Sequence, residues 1–129
     1  MIIPRYTLSK EERLSWKRYI DLLFDKGQSF VAFPLRVVYL SVEEELPARA
    51  AILISVPKRK FKRAVKRNLI KRQVREAYRV RKYDLIEPLE EKKKSMLIAF
   101  LYLDKEIHEC ATMGKAMTKA IRVLCDKSE

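Results

Sequence analysis

The residues of this sequence best suited to chemistry are cations, and their excess lies in one segment. Residues 58–82 hold thirteen lysines and arginines and a single acid, Glu76. The rest of the chain carries sixteen basic and sixteen acidic residues, so the formal net charge of +12 comes entirely from this segment. A concentrated excess creates a field that attracts polyanions, whereas charge needed only for solubility can be spread over the surface. The segment therefore predicts a surface that binds nucleic acid.

The basic segment contains good helix formers and no glycine or proline from residue 63 to residue 81, which predicts a helix. At about 100° per residue, five of its polar residues fall within an arc of roughly 100°: Asn68, Lys71, Arg72, Arg75 and Arg79. Apolar residues occupy much of the other side, so the helix can pack on a sheet and present a row of cations. Cations at i,i+4 repel each other by about a few tenths of a kcal/mol, and phosphates are the partner that arginine binds bidentately. Spacing alone does not distinguish RNA from DNA.

Other kinds of site have little support in the residue types present. The chain has one histidine, His108, beside Glu109, and we expect it at the surface or at a helix end. Cys110 and Cys125 are the only cysteines. On one helix they would stand about 22 Å apart, too far for a disulfide, so we expect reduced thiols in a cytoplasmic protein. No Cys-x-x-Cys spacing, clustered carboxylate motif or nucleophile–base pair is present.

Hydrophobic patterning supplies the elements that must position the basic helix. A capping box at Ser9 and Glu12 and a stop at Gly27 predict a first helix over residues 9–25. Residues 84–94 form a charged connector, predicted to be partly helical. The apolar run at 95–103 predicts a strand buried on both faces, and it is far shorter than the ~20 residues of a membrane span. The remaining predicted elements are strands at 29–33, 35–42 and 50–56 and a last helix at 107–125.

These elements predict an α+β protein in which helices pack on a central sheet of about four strands. We expect one domain over residues 1–129, with short flexible ends at about 1–8 and 126–129.

The basic segment also carries a specific pattern of identities. Arg67-Asn68, Lys71-Arg72 and Arg75-Glu76 match Arg-Asn-x-x-Lys-Arg-x-x-Arg-Glu, so the sequence resembles the bacterial ribonuclease P protein family. The first helix ending at Phe24-Asp25-Lys26-Gly27, the strand with Val37-Val38-Tyr39, the strand end at Ser55-Val56 and the late strand and helix also follow the family order. The resemblance covers most of the chain.

The resemblance implies a fold and a function. The fold would be an α-β sandwich of the ribosomal protein S5 domain 2-like kind with a left-handed β-α-β crossover, an exception to the usual right-handed rule. The protein would be a subunit of the endoribonuclease that binds a catalytic RNA and precursor tRNA and promotes removal of the tRNA 5′ leader. Magnesium held by the RNA would do the cleavage, so the protein would need no catalytic residue, metal or cofactor of its own. No membrane or DNA partner is expected.

Two RNA-binding surfaces follow from the resemblance. The signature helix would face the catalytic RNA with seven residues: Arg63, Arg67, Asn68, Lys71, Arg72, Arg75 and Arg79. The basic residues before it would add flanking contacts: Lys58, Arg59 and Lys60. A cleft between the first helix and the sheet would receive the single-stranded leader, with bases stacking on aromatic side chains; its lining would be Ile20, Phe24, Val37, Tyr39 and Ser55. We expect Tyr39 to be exposed to this cleft, whereas Phe24 fits base stacking and core packing equally.

Three departures from the family pattern bear on these surfaces. Leu69 stands where a second arginine often follows the asparagine, Ile20 stands where a phenylalanine is common, and residues 58–64 contain no glycine. They put the leader contacts in more doubt than the signature helix.

Several alternatives share the charge pattern. A non-catalytic basic RNA-binding protein of ribosomal or assembly type has no reason to carry the signature. A DNA-binding protein lacks a helix-turn-helix or dimer seam beside the basic helix. An autonomous nuclease needs metal-binding carboxylates that the sequence does not place. An anionic membrane is the weaker candidate for a polyanionic partner, and a merely solvated helix face does not explain why the charge is concentrated.

Overall fold

A computed structural model of the protein describes residues 17–42 and 49–127. Within these ranges the chain forms four strands and four helices, in chain order α1 Lys17–Lys26, β1 Gln28–Ala32, β2 Leu35–Val42, β3 Ala50–Ser55, α2 Ala64–Arg79, α3 Tyr83–Lys92, β4 Ser95–Tyr102 and α4 Cys110–Lys127. No helix in the described ranges is long and apolar enough to cross a membrane.

The four strands form one mixed sheet in the order β1-β2-β4-β3. β1 and β2 form an antiparallel hairpin, β2 pairs antiparallel with β4, and β3 pairs parallel with β4. Seven of the eight β4 residues are buried, because strands flank β4 on both edges and helices cover both of its faces. The prediction of a central strand at 95–103 is confirmed, with its last residue one position earlier.

Helices cover both faces of the sheet, which confirms the predicted α+β sandwich. On one face α2, α3 and α4 enclose the larger hydrophobic core, to which β4 contributes Met96, Ile98 and Phe100. On the other face Tyr19 and Leu23 of α1 pack against the strand side chains that point away from the larger core. Burial of each large apolar side chain stabilises the fold by about 1.5–3 kcal/mol.

The parallel pair β3–β4 is joined by a crossover that contains both α2 and α3. The predicted charged connector at 84–94 is therefore mostly a ten-residue helix, α3, whose Leu85 and Leu89 are buried. The left-handed αL conformation of Lys93 (φ 54°) ends α3 before β4 begins. The hand of the crossover stays a prediction.

The ends of the first and last helices differ from the predicted bounds. The predicted start of the first helix, with its capping box at Ser9 and Glu12, lies outside the described residues, as do the tails at 1–8 and 128–129. α4 begins at Cys110 and continues to Lys127, so residues 126 and 127 extend a helix where a flexible tail was predicted. Both cysteines lie on α4 as free thiols, as predicted.

Gly27 ends α1 because of close packing. Its backbone N–H donates to the Leu23 carbonyl at 2.8 Å. A Cβ at this position would lie 3.0 Å from the carbonyl oxygen of Tyr39 and 2.3 Å from that of Leu23. Since neither backbone atom can move aside cheaply, the absence of a side chain allows the chain to pass directly from α1 into β1.

The loop between β4 and α4 is held by a short polar network. A ring nitrogen of His108, Nε2, lies 2.6 Å from Oδ2 of Asp104, and the imidazole stands edge-on to the rings of Phe33 and Tyr102. The hydrogen bond from His108 holds the pKa of Asp104 below its usual value. His108 is partly exposed and precedes α4 by two residues, which fits the predicted helix-end histidine. The helix starts at residue 110 and not at residue 107 as predicted.

Replacement of the Asp104 carboxylate tests how much it contributes to the free energy of unfolding at different pH values. Because folding lowers the pKa of Asp104, the ionised group contributes stability above the ordinary carboxyl pKa and loses it as pH falls through the lowered value. We expect Asp104→Asn to lower the free energy of unfolding at about pH 5 to 6, with the difference from wild type shrinking as pH approaches about 3. Urea unfolding at several pH values measures this. A difference that stays constant over that range would contradict the assignment.

Candidate nucleic-acid interface

The cations of the signature that follow Arg67 lie on the outer side of α2. The inner side of the helix is buried against the sheet and α4 through four residues: Ile70, Val74, Ala77 and Tyr78. Asn68 and Arg72 are exposed, and Lys71, Arg75 and Arg79 are partly exposed. These five residues form the α2 row. The structure thus separates an apolar side from a cationic side as the spacing predicts, while contact with RNA stays a prediction.

The amino-terminal end of α2 strengthens this positive field. Arg63 occupies the N-cap position with an extended backbone (φ −82°, ψ 126°), and its side chain makes no capping hydrogen bond. The first turn contains no acidic residue. The positive end of the helix dipole is therefore uncompensated by a side-chain carboxylate and adds to the attraction for anions. Arg63 itself is exposed, consistent with its predicted role.

Glu76 is the one acid within the basic segment, and it holds Arg79 in place. The Arg79 guanidinium donates from Nε at 3.1 Å and from Nη2 at 2.7 Å to the Glu76 carboxylate. This hydrogen bonding lowers the pKa of Glu76, assisted by the charges of Arg79, Arg75 and Arg72. The carboxylate therefore stays ionised near neutral pH and orients one guanidinium at the carboxyl end of the α2 row.

Arg67 and Lys60, both predicted RNA contacts, have partners inside the protein. Nη1 of Arg67 donates to the carbonyl of Phe61 at 2.7 Å and to that of Lys62 at 2.9 Å. Nζ of Lys60 donates to the carbonyl of Leu103 at the end of β4. Phe61 is buried with its ring against Tyr102. These contacts fix the loop before α2 to the end of the sheet, so both cations have a structural role that the sequence pattern did not indicate.

The remaining cations of the segment differ in accessibility. Lys58 and Arg59 are exposed before the start of α2, and their contact with RNA stays a prediction. Lys82 is 2% exposed, with its ammonium 5.4 Å from the centre of the Tyr83 ring. The formal charge of the segment therefore overstates the charge available to a ligand.

The predicted leader cleft is not assembled as expected. Val37 is 0% and Tyr39 6% exposed, and both belong to the core on the side of α2, α3 and α4. The Tyr39 hydroxyl donates to Oε1 of Gln28 at 3.0 Å. Because neighbouring strand residues point to opposite faces, α1 covers Val38 and not Val37 or Tyr39. The predicted exposure of Tyr39 is wrong, and Val37 and Tyr39 do not share a face with α1.

The other three predicted cleft residues do lie on the α1 side. Phe24 is 48% exposed. Of the two positions that the sequence left open for it, core and surface, it therefore takes the surface. Ile20 is half-buried against the smaller core. Ser55, at the end of β3, is exposed and points to this face by the alternation along the strand.

The face covered by α1 has an uncovered part that sequence reasoning missed. Strand register aligns Val31 with Arg36, Arg36 with Leu101, and Leu101 with Ser55, and these four residues form the open row. Val31, Arg36 and Ser55 are exposed and Leu101 is half-buried, and the Arg36 guanidinium donates to the Ser29 hydroxyl at 3.3 Å. Period-two alternation puts each residue on this face, but only the pairing register aligns them. The open row presents apolar surface and one cation.

The chemistry of these surfaces is that of anion binding. Guanidinium, ammonium and amide groups donate hydrogen bonds to phosphate oxygens. Among the residues that the structure describes, no three His, Cys, Asp or Glu side chains come together to hold a metal ion.

Comparisons with known proteins agree with the sequence resemblance. The family model for ribonuclease P matches residues 8–122. A ribonuclease P protein component from Porphyromonas gingivalis is 43% identical over 118 residues, which cover 92% of this chain and 86% of that protein. One from Petrotoga mobilis is 38% identical over 76 residues, or 59% of this chain and 61% of that protein.

Solved structures show the same fold. The ribonuclease P protein of Thermotoga maritima superposes with a TM-score of 0.69 at 22% identity, covering 87% of this chain and 96% of that one. The protein of Staphylococcus aureus gives 0.67 at 21% identity, covering 88% and 95%. The family model and the Porphyromonas relative together span nearly the whole chain, including every residue of the α2 row, and the chain belongs to the ribonuclease P protein family.

Proposed function

We propose that this chain is the protein subunit of a bacterial ribonuclease P, binds its catalytic RNA through α2, and promotes removal of the 5′ leader from precursor tRNA in the cytoplasm. The observation that carries the proposal is the α2 row. Five polar residues, four of them from the family signature, occupy the solvent-facing side of a helix whose other side is buried. Family membership supplies the identity of the RNA, which surface chemistry alone does not distinguish.

The α2 row binds phosphate groups of the folded RNA. Each cation that neutralises a phosphate releases a counterion, so affinity falls with rising salt. The exposed guanidinium of Arg72 and the partly exposed one of Arg75 suit bidentate contacts, and Asn68 adds an amide that both donates and accepts. These contacts position the protein on its RNA and carry little sequence information by themselves.

The open row and Phe24 bind the single-stranded leader. Unpaired bases present flat apolar faces, which pack on exposed apolar and aromatic side chains, and a single cation nearby pairs with a backbone phosphate. Val31, Leu101 and Phe24 supply the apolar surface, and Arg36 supplies the cation. This assignment replaces Val37 and Tyr39 and retains Phe24 and Ser55 from the sequence-based cleft.

Cleavage itself belongs to the RNA and its bound magnesium ions. The donor set of the α2 row is made of guanidinium, ammonium and amide groups, which bind phosphate, whereas magnesium binds carboxylate and phosphate oxygens. The protein holds RNA and substrate in place, and the phosphates of the RNA supply oxygen ligands for the metal.

Reconstitution tests the proposed function. We expect the chain, mixed with a bacterial ribonuclease P RNA, to raise the rate of precursor tRNA cleavage at low magnesium above that of the RNA alone, because its cations offset phosphate repulsion. Gel analysis of 5′-labelled precursor measures the rate. Binding of the RNA without faster cleavage would favour a ribosomal or assembly protein, and cleavage by the protein alone would favour an autonomous nuclease.

Substitution in the open row tests the leader assignment. Arg36→Gln removes one cation from the row, so we expect weaker holoenzyme binding of precursor tRNA with a leader of several nucleotides and little change for mature tRNA. Lys93→Gln, an equal charge change at an exposed site at the end of α3, is the matched control. Equal effects of Arg36→Gln on both tRNAs would place the leader elsewhere.

Substitutions of Arg67 and of Arg75 distinguish a structural role from an RNA contact. We expect Arg67→Gln to reduce the free energy of unfolding by about 1–3 kcal/mol, because two backbone carbonyls lose a charged donor. Arg75→Gln leaves stability nearly unchanged and reduces the dependence of log affinity for the RNA on log salt by about 0.7–0.9. Urea unfolding and filter binding at several salt concentrations measure the two quantities. Equal stability of the two variants would remove the structural assignment of Arg67.

A further inference from the structure

A second group of cations lies on α4, outside the basic segment that dominates the sequence. Lys115, Lys119 and Arg122 are exposed and recur at i, i+4 and i+7, which places them within an arc of roughly 60° on the helix. With Arg81, which follows α2, they line a shallow groove of about 300 Å³. We call this groove, completed by Ala111, Gly114 and Thr118, the α4 groove.

Arg81 is held in the α4 groove by specific contacts. Its Nε donates to the Thr118 hydroxyl at 3.1 Å and its Nη1 to the carbonyl of Ala77 at 3.1 Å. Thr118 in turn donates to the carbonyl of Gly114 at 2.9 Å. A Cβ on Gly114 would stand 2.7 Å from Nη2 of Arg81, so the glycine leaves the space that the guanidinium occupies. A planar cation fixed along two of its nitrogens is preorganised for an anion.

The α4 groove and the α2 row lie on different sides of α2. Gln73 points towards α4, since its amide donates to the carbonyl of His108 at 3.1 Å. At about 100° per residue, Arg75 points roughly 200° away from Gln73. The exposed Leu69 projects between these two directions. One continuous strand segment therefore cannot follow both surfaces without crossing this apolar part of α2.

The cations of the α4 groove are poorly compensated within the protein. In the described part of the chain, Lys115, Lys119 and Arg122 take part in no ion pair. Asp126, one turn beyond Arg122, is the acid on the same side of α4. The i,i+4 pair Lys115 and Lys119 is mutually repulsive, so an anionic partner relieves a repulsion that the isolated protein retains.

We propose that the α4 groove is a second RNA-binding surface, which contacts the phosphate backbone of a segment of ribonuclease P RNA other than the one bound by the α2 row. The inference rests on the proposed function. The residues lining the groove are cations and small side chains, with no aromatic or large apolar group. That composition suits backbone contacts independent of base sequence and lacks the apolar anchors with which amphipathic helices enter a lipid surface.

A charge-matched pair of variants tests this surface. Lys115→Gln combined with Lys119→Gln removes two cations from the groove, and Lys26→Gln combined with Lys93→Gln removes two exposed cations at the ends of α1 and α3. Filter binding to a bacterial ribonuclease P RNA is measured from low to high salt. We expect the groove variant to bind about tenfold more weakly near 0.15 M salt, with a salt slope smaller by about 1.4–1.8, and the control to change by less than half as much.

The outcomes separate this inference from the proposed function. If Lys71→Gln with Arg75→Gln weakens binding while the groove variant matches its control, the second surface is refuted and the α2 row stands. If the unmodified protein does not bind the RNA, the proposed function and the inference both fail. Unchanged RNA binding with lost binding to phosphatidylserine vesicles would overturn the inference in favour of a membrane surface.

Gly114→Ala provides an independent test within the same groove. Its Cβ meets only the guanidinium end of the Arg81 side chain and no backbone atom, so the variant is expected to keep its fold and thermal midpoint while Arg81 is displaced from its contacts with Thr118 and Ala77. We expect RNA binding to weaken severalfold. Wild-type affinity in this folded variant would show that Arg81, as positioned here, does not contact RNA.

Discussion

The parallel pairing of β3 with β4 is the constraint on which the rest of the molecule depends. Parallel neighbours cannot be joined by a tight turn, so the chain must cross over the sheet between them. α2 and α3 form this crossover, and α2 must bury one side against the sheet. Since that side is taken by Ile70, Val74 and Tyr78, the cations of the signature have only the solvent side left. The sheet pairing thus determines which way the basic helix presents its charge.

The basic segment also uses part of its charge to hold itself in place. Arg67 and Lys60 donate to backbone carbonyls, which anchor the loop before α2 to the end of β4 where no regular strand or helix supplies those hydrogen bonds. A buried or half-buried carbonyl without a donor is costly, and a charged donor stabilises it more than a neutral one. Anchoring of this loop fixes the position at which α2 starts.

The fold separates charges that are balanced along the chain. Outside residues 58–82 acidic and basic residues are equal in number, yet the exposed Glu87, Glu90 and Glu91 lie on α3 while α4 carries Lys115, Lys119 and Arg122 on one side. Helical periodicity sorts these residues by side, and packing then brings Arg81 from the neighbouring element to the same groove. Equal numbers of acidic and basic residues along the chain are therefore compatible with a second positively charged surface, the α4 groove.

Local chemistry in the sequence determined the basic helix, the family signature, the strand at 95–103 and the absence of a disulfide, because helical and strand periods and side-chain charge are properties of nearby residues. All five residues of the α2 row are exposed or partly exposed in the structure, whereas Arg67 of the signature has its partners inside the protein. The sequence also placed Val37 and Tyr39 together on one strand face, since alternation is local.

Tertiary structure alone decided which face α1 covers, and this moved the candidate leader surface from Val37 and Tyr39 to Val31, Arg36 and Leu101. Alternation defines two faces of a strand but carries no information on which helix packs on each, because that depends on contacts between residues distant in the chain. The assembly of the α4 groove, in which Arg81 meets residues of α4, has the same origin. The basic segment was visible as charge, and the packing of the sheet decided how much of that charge a ligand can reach.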